Sequence, residues 1–177
     1  MYFMMTVVIL PDEYLSHEIV EPQPIQSTTL SANEISLGES FEIQIQIENK
    51  NDVADILITS VAFPEIQEIG DVVEIVSYDY TQSPRYIERG DKINSVYTKG
   101  GQITAQHPSI EAYSRNVPAN TIYQMSVLIT PQNTGIFELH IKTIAIPHTS
   151  DLSHYPYDGV LDYQDEFVTV HTVTVNP

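Results

Sequence analysis

Apolar and polar residues alternate without a break in the run Phe41-Glu42-Ile43-Gln44-Ile45-Gln46-Ile47-Glu48. Phe41, Ile43, Ile45 and Ile47 share one face of an extended chain, and Glu42, Gln44, Gln46 and Glu48 share the other. A helix would scatter the same apolar groups around its circumference. Burying four such side chains contributes roughly 1.5–3 kcal/mol each, and ordering eight residues costs about 1–2 kcal/mol apiece. The two sums nearly cancel. The strand therefore needs a second apolar sheet face above it, which predicts a two-sheet sandwich.

Further strands follow the same rule. Asp55 to Phe63 is rich in Ile and Val and stops at Pro64, and Asp71 to Tyr80 holds Val72, Val73, Ile75 and Val76. Tyr123, Met125, Val127 and Ile129 alternate with Gln124, Ser126 and Leu128, and Phe137, Leu139 and Ile141 alternate with Glu138, His140 and Lys142. In the last run, Phe167 to Val175, the phase changes between Val168/Val170 and Val173/Val175, which predicts a bulge or twist near His171 and Thr172. Turn chemistry agrees: Asn49-Lys50-Asn51-Asp52 and Pro131-Gln132-Asn133-Thr134-Gly135 each link two strands. No amphipathic helical stretch exceeds two turns. The expectation is an all-β, immunoglobulin-like antiparallel sandwich at 27–177 with a long insertion at 78–118.

Charge changes the picture next. Seven Lys and Arg oppose twenty-four carboxylates, a net charge of −17, which argues against nucleic acid and anionic membrane as partners. The cations are uneven. Arg85, Arg89, Lys92, Lys99 and Arg115 face only Asp79, Glu88, Asp91 and Glu111 within 78–118, a net +1; elsewhere twenty acids meet Lys50 and Lys142, a net −18. The absence of cysteine removes disulfides, thiolate metal sites and thiol nucleophiles together. It does not fix the compartment.

The first ten residues, MYFMMTVVIL, are too few to span a bilayer, which takes about 20. They lack a basic flank and a small-residue cleavage site. Three readings of these ten residues stay open, with 1–26 taken as that segment and a linker: an apolar first strand, the remnant of an export signal or anchor, or a strand donated to a neighbouring subunit of a filament.

The run Leu37-Gly38-Glu39-Ser40-Phe41 with the alternation to Asn49, which would open a hairpin, resembles the opening strands of secreted bacterial and archaeal immunoglobulin-like domains. Cell-adhesion-related domains of surface proteins are the nearest comparison. Val117-Pro118-Ala119-Asn120-Thr121 and Asn133-Thr134-Gly135-Ile136-Phe137 resemble the corner of such folds, usually Asp-x-Gly-x-Tyr. Here Asn133 replaces the acid and Phe137 the tyrosine, so the phenolic hydrogen bond of that corner cannot form. The phrases QSPR, SIEAYSR and PHTSDLSHYP resemble surface proteins of ammonia-oxidising archaea. A weaker similarity is to the cupredoxin-like sandwich of archaeal ammonia monooxygenase, in its Gly-Glu opening and Val-rich closing strand. The copper sites of that class use a His-x-His pair that this chain lacks, so the site is not carried over. The resemblance implies an extracellular or cell-surface location.

Two regions carry candidate chemistry. The 78–118 segment combines tyrosines with the clustered cations, residue types enriched at interface hot spots, and Tyr80, Arg85, Tyr86, Arg89, Tyr113 and Arg115 form the candidate partner surface. The alternative is that these rings cover a long loop while the arginines pair with the acidic body. In the loop from Pro147 to Gly159, His148, Asp151 and His154 could converge on a divalent ion such as copper, zinc or calcium, with Asp158 or Asp162 nearby. The plainer reading is a solvated loop braced by its histidines. There is no Gly-x-Ser-x-Gly elbow, HExxH or phosphate loop. The expected function is non-catalytic recognition or assembly without a cofactor. The partner is a protein or glycan at the cell surface, self-association included; a metal-binding domain and a strand-donating filament subunit are the alternatives.

Overall fold

The computed structural model describes residues 20–95, 101–148 and 152–177. The three readings of the amino terminus therefore fall outside the described residues. Within them the chain is all β, and no helix is long and apolar enough to cross a membrane.

Among the described residues fourteen strands run in chain order: β1 (Gln23–Leu30), β2 (Glu34–Ser36), β3 (Phe41–Lys50), β4 (Ala54–Ala62), β5 (Val73–Tyr78), β6 (Arg85–Ile87), β7 (Lys92–Ser95), β8 (Gly101–Thr104), β9 (Ser109–Val117), β10 (Thr121–Ile129), β11 (Gly135–Ile146), β12 (Ser153–Tyr155), β13 (Val160–Leu161) and β14 (Phe167–Asn176). The smaller sheet has the order β1-β3-β10-β5. The larger has the order β13-β14-β11-β4-β9-β6, with β12 beside β11 and β2 parallel to β14; β7 and β8 form a separate hairpin.

The alternation read in the sequence becomes the core. Phe41, Ile43, Ile45 and Ile47 are each at most 1% exposed, and they meet Leu57, Val61, Ile110, Leu139, Ile141 and Val173 of the other sheet in one cluster. Phe137 packs edge-on against Phe41, with ring centroids 5.9 Å apart. It fills with a ring what a tyrosine corner would hold with a hydroxyl. A buried polar chain also crosses the core. The Tyr80 hydroxyl donates to Thr59 Oγ1 at 2.7 Å, Thr59 and Thr143 share a hydrogen bond at 3.3 Å, and the Thr143 hydroxyl donates to Gln26 Oε1 at 3.2 Å.

Several expectations change. The turn after Asn49 does not open a hairpin: β3 lies in the smaller sheet and β4 in the larger, so it is a crossover at the sandwich edge. The Pro131–Gly135 turn crosses in the same way, from β10 to β11. No bulge interrupts β14, which keeps one register with β11 from Gly135↔Val175 to Ile141↔Thr169. Its phase changes because both of its faces are covered. Val173 and Val175 enter the core, whereas Val168, buried on the opposite face, lies under the 161–164 loop. Strand β1 begins at Gln23, so 23–26 belong to the sandwich and not to a preceding linker. Within 78–118, β9 is an interior strand paired with β4 and β6; the part that leaves the two sheets is the β7–β8 hairpin.

Candidate functional site

The outer face of the larger sheet carries a cleft, and strand register explains its shape. One cross-strand row runs Arg85, Glu111, Ser60, Lys142; the next runs Ile87, Ser109, Ala62, His140. Small side chains occupy the middle of both rows, so the floor sinks at Ser60, Ala62 and Ser109. Two walls rise from it. Leu161, Asp162, Tyr163 and Gln164 stand on one side, and Ile93 and Ile103, a cross-strand pair of the β7–β8 hairpin, stand on the other. The space enclosed is about 230 Å³.

Lys142 organises the wall nearest β14. Its position alternates outward, yet the residue is only 7% exposed. Nζ donates to Asp162 Oδ2 at 2.7 Å, to Gln164 Oε1 at 3.1 Å and to Glu166 Oε2. The same aspartate holds the loop shut, since Asp162 Oδ1 accepts the backbone N–H groups of Gln164 at 2.7 Å and Glu166 at 3.1 Å. Asp165 completes the turn at φ 60°. An isolated buried ammonium would be costly; here two carboxylates and an amide oxygen receive it.

Imidazoles surround this pair. His107 lines the cleft, packs edge-on against Tyr163 at 5.6 Å, and has a buried Nδ1 without a hydrogen-bond partner. Burial lowers its pKa from the ordinary histidine value, and the charges of Arg89 and His140 add to the effect against a smaller opposing pull from Asp162. His107 is therefore a neutral hydrogen-bonding group near pH 7. His140 Nε2 lies 3.3 Å from Glu138 Oε2. On β12, His154 has its pKa lowered by burial first of all, with Glu166 and a hydrogen bond to the Phe167 backbone opposing. At the far end of the floor, Arg85 holds Glu111 through Nε at 3.0 Å and Nη2 at 2.5 Å.

The six expected contact residues separate. Arg85, Tyr113 and Arg115 occupy outward positions on β6 and β9, and both arginines are exposed. Arg89 is exposed beyond β6. Tyr86 takes the opposite parity and lies between the sheet edges, where its hydroxyl accepts the Ile75 N–H at 3.3 Å. Tyr80 leaves the set. It is 5% exposed, stacks on Tyr123 at 5.2 Å, and burial pushes its phenol well above the ordinary range.

The expected metal ligands do not form a site among the described residues, where no three His, Cys, Asp or Glu side chains come together as an ion would require. His148 is exposed, with Nδ1 3.0 Å from Asp55 Oδ2, whereas His154 turns to the Phe167 backbone. Asp151 lies outside the described residues. Sequence reasoning missed Ser60, Ser109, Glu111 and Lys142, and Asp162, expected beside an ion, instead receives the ammonium of Lys142. One signal was available: Lys142 is one of only two cations in the acidic part of the chain, so nearby carboxylates were bound to seek it.

No protein-family model matches the sequence, and no curated protein sequence matches it either. Solved structures that it resembles include AvmM, which catalyses macrocyclization in alchivemycin A biosynthesis (9% identity, 88% of this chain and 89% of that one, TM-score 0.46). Another is the beta-glucosidase from Listeria innocua (15% identity, TM-score 0.42), where 88% of this chain covers only 16% of that one. A third is the non-cellulosomal cohesin from the archaeon Archaeoglobus fulgidus (11% identity, 86% of this chain and 91% of that one, TM-score 0.34). At these identities and scores the likenesses carry no functional inference.

Proposed function

We propose that the protein is a non-catalytic recognition or assembly module whose contact face is the outer surface of the larger sheet. The observation that carries this reading is the gathering of Arg85, Tyr113 and Arg115 on one face of β6 and β9, beside a walled cleft. Those strands belong to the segment of net +1 within a chain of net −17. A partner surface is attracted there while the rest of the molecule repels acids, which selects orientation as well as partner. The charged groups of the cleft face one another, Lys142 with Asp162 and Glu166, and Arg85 with Glu111. That pairing favours a fixed binding surface over a poised acid or base. Location at the cell surface rests on the resemblance of the Leu37–Phe41 and Val117–Thr121 segments to secreted domains.

The test replaces Arg85, Tyr113 and Arg115 together by alanine. Association is followed by sedimentation of the protein alone and with candidate surface proteins and glycans. The triple variant keeps the wild-type melting profile and weakens association about tenfold or more, as loss of central Arg and Tyr contacts does elsewhere. A variant that keeps every association at wild-type strength places the contact face elsewhere.

A further inference from the structure

We propose that the cleft on the outer face of the larger sheet is a subsite for one neutral sugar ring of a surface glycan, an inference that rests on the recognition reading above. A pyranose presents apolar C–H faces and a rim of hydroxyls. The cleft presents the complement: Ile93 and Ile103 on one wall, Leu161 and Tyr163 on the other, and Ser60 and Ser109 on the floor. Its volume of about 230 Å³ lies below the roughly 300–1,000 Å³ of sites for drug-sized ligands.

Charge narrows the ligand class. The ammonium of Lys142 is met by Asp162, Glu166 and Gln164, and the guanidinium of Arg85 by Glu111, so these two cations already have anionic partners. In a chain of net −17 an acidic sugar or a phosphate gains little from such groups and is repelled by the rest. Neutral hydroxyls, which both donate and accept, suit serine, carboxylate and neutral imidazole side by side. Topology argues against an extended peptide. Peptide strands add to open sheet edges, whereas the floor strands β4, β9 and β11 are each paired on both sides.

The experiment titrates the isotope-labelled full chain with glucose, galactose, mannose, xylose, N-acetylglucosamine and their short oligomers, with glucuronic acid as the anionic control. Saturable shifts of the amides at 60–62, 109–111, 140–142 and 162–164 with at least one neutral sugar are expected, and weaker or no shifts with glucuronic acid. Ala62→Trp fills the floor from an outward position and should weaken that binding about tenfold or more. Should that variant fail to fold, Ser109→Leu supplies the same obstruction with less bulk. A silent panel, a preference for glucuronic acid, or undiminished binding by the obstructed variant overturns the proposal. If the panel is silent while the alanine triple variant still loses association, the sugar subsite falls and the recognition face stands.

Discussion

A single ammonium decides the local chemistry of the outer face. Lys142 sits where strand alternation points to solvent, and the sequence reads it so; what covers it is the 161–166 segment, some twenty residues further along. No periodicity announces such a return, because the contact depends on where a loop folds and not on a repeat. Tyr80 shows the opposite failure. Its neighbours in sequence are polar, yet its ring stacks on Tyr123 and its hydroxyl reaches Thr59. Composition suggested a contact residue, and the sandwich made it core. The Lys142 cluster yields a prediction at this scale. Lys142→Met leaves Asp162 and Glu166 nearly buried without their cation, and removing one partner of a buried pair costs about 3–5 kcal/mol. The loss is read from urea denaturation near neutral pH. Adding Asp162→Asn and Glu166→Gln should recover most of it. If the single replacement is neutral, the pair contributes nothing to folding.

Strands were far more legible than the connections between them. The β3 stripe is buried as its alternation requires, and β10 and β11 follow their apolar parity just as closely. Whether two consecutive strands pair or change sheets depends on contacts distant in sequence, which a local pattern does not contain. Asn49 is such a contact. It is fully buried, and its Nδ2 approaches the carbonyls of Asp52 at 2.9 Å, Val117 at 3.2 Å and Pro118 at 3.3 Å. Its own carbonyl accepts the Asn120 N–H at 2.6 Å. One side chain thus ties the β3–β4 crossover to the β9–β10 turn, the kind of clamp the Phe137 corner cannot provide. The backbone bond survives substitution, while the side-chain bonds do not. Asn49→Ala should therefore lower stability by about 1–3 kcal/mol, the usual cost of leaving buried partners unsatisfied. Hydrogen exchange should quicken at 50–53 and 117–121 ahead of the β3 interior. Unchanged protection in those two turns would show that the clamp is incidental.

For the whole molecule, the charge of −17 counts the six histidines as neutral, and histidine is the side chain whose ordinary pKa falls between about pH 7.5 and 5.5. Changes of stability in that window belong to histidine. Burial lowers the pKa of His107, His154 and His171 in the folded chain; for His107 the charges of Arg89 and His140 add to it, and for His154 Glu166 and the Phe167 backbone partly offset it. In the unfolded chain each returns to about 6.5. Below that value the unfolded state holds more protons than the folded one, so stability rises with pH there. The stabilisation is complete above about pH 6.5 and is lost as pH falls toward the lowered folded values. The midpoint of urea denaturation should therefore drop between about pH 7 and 5.5. His154 and His171 each keep a buried Nε2 without a partner, which makes their protonated forms especially hard to accommodate. Replacing both by glutamine should flatten the pH profile while leaving the outer-face cleft, which neither residue lines, able to bind. A wild-type midpoint that stays level across the window would mean that these imidazoles protonate as readily in the sandwich as in water.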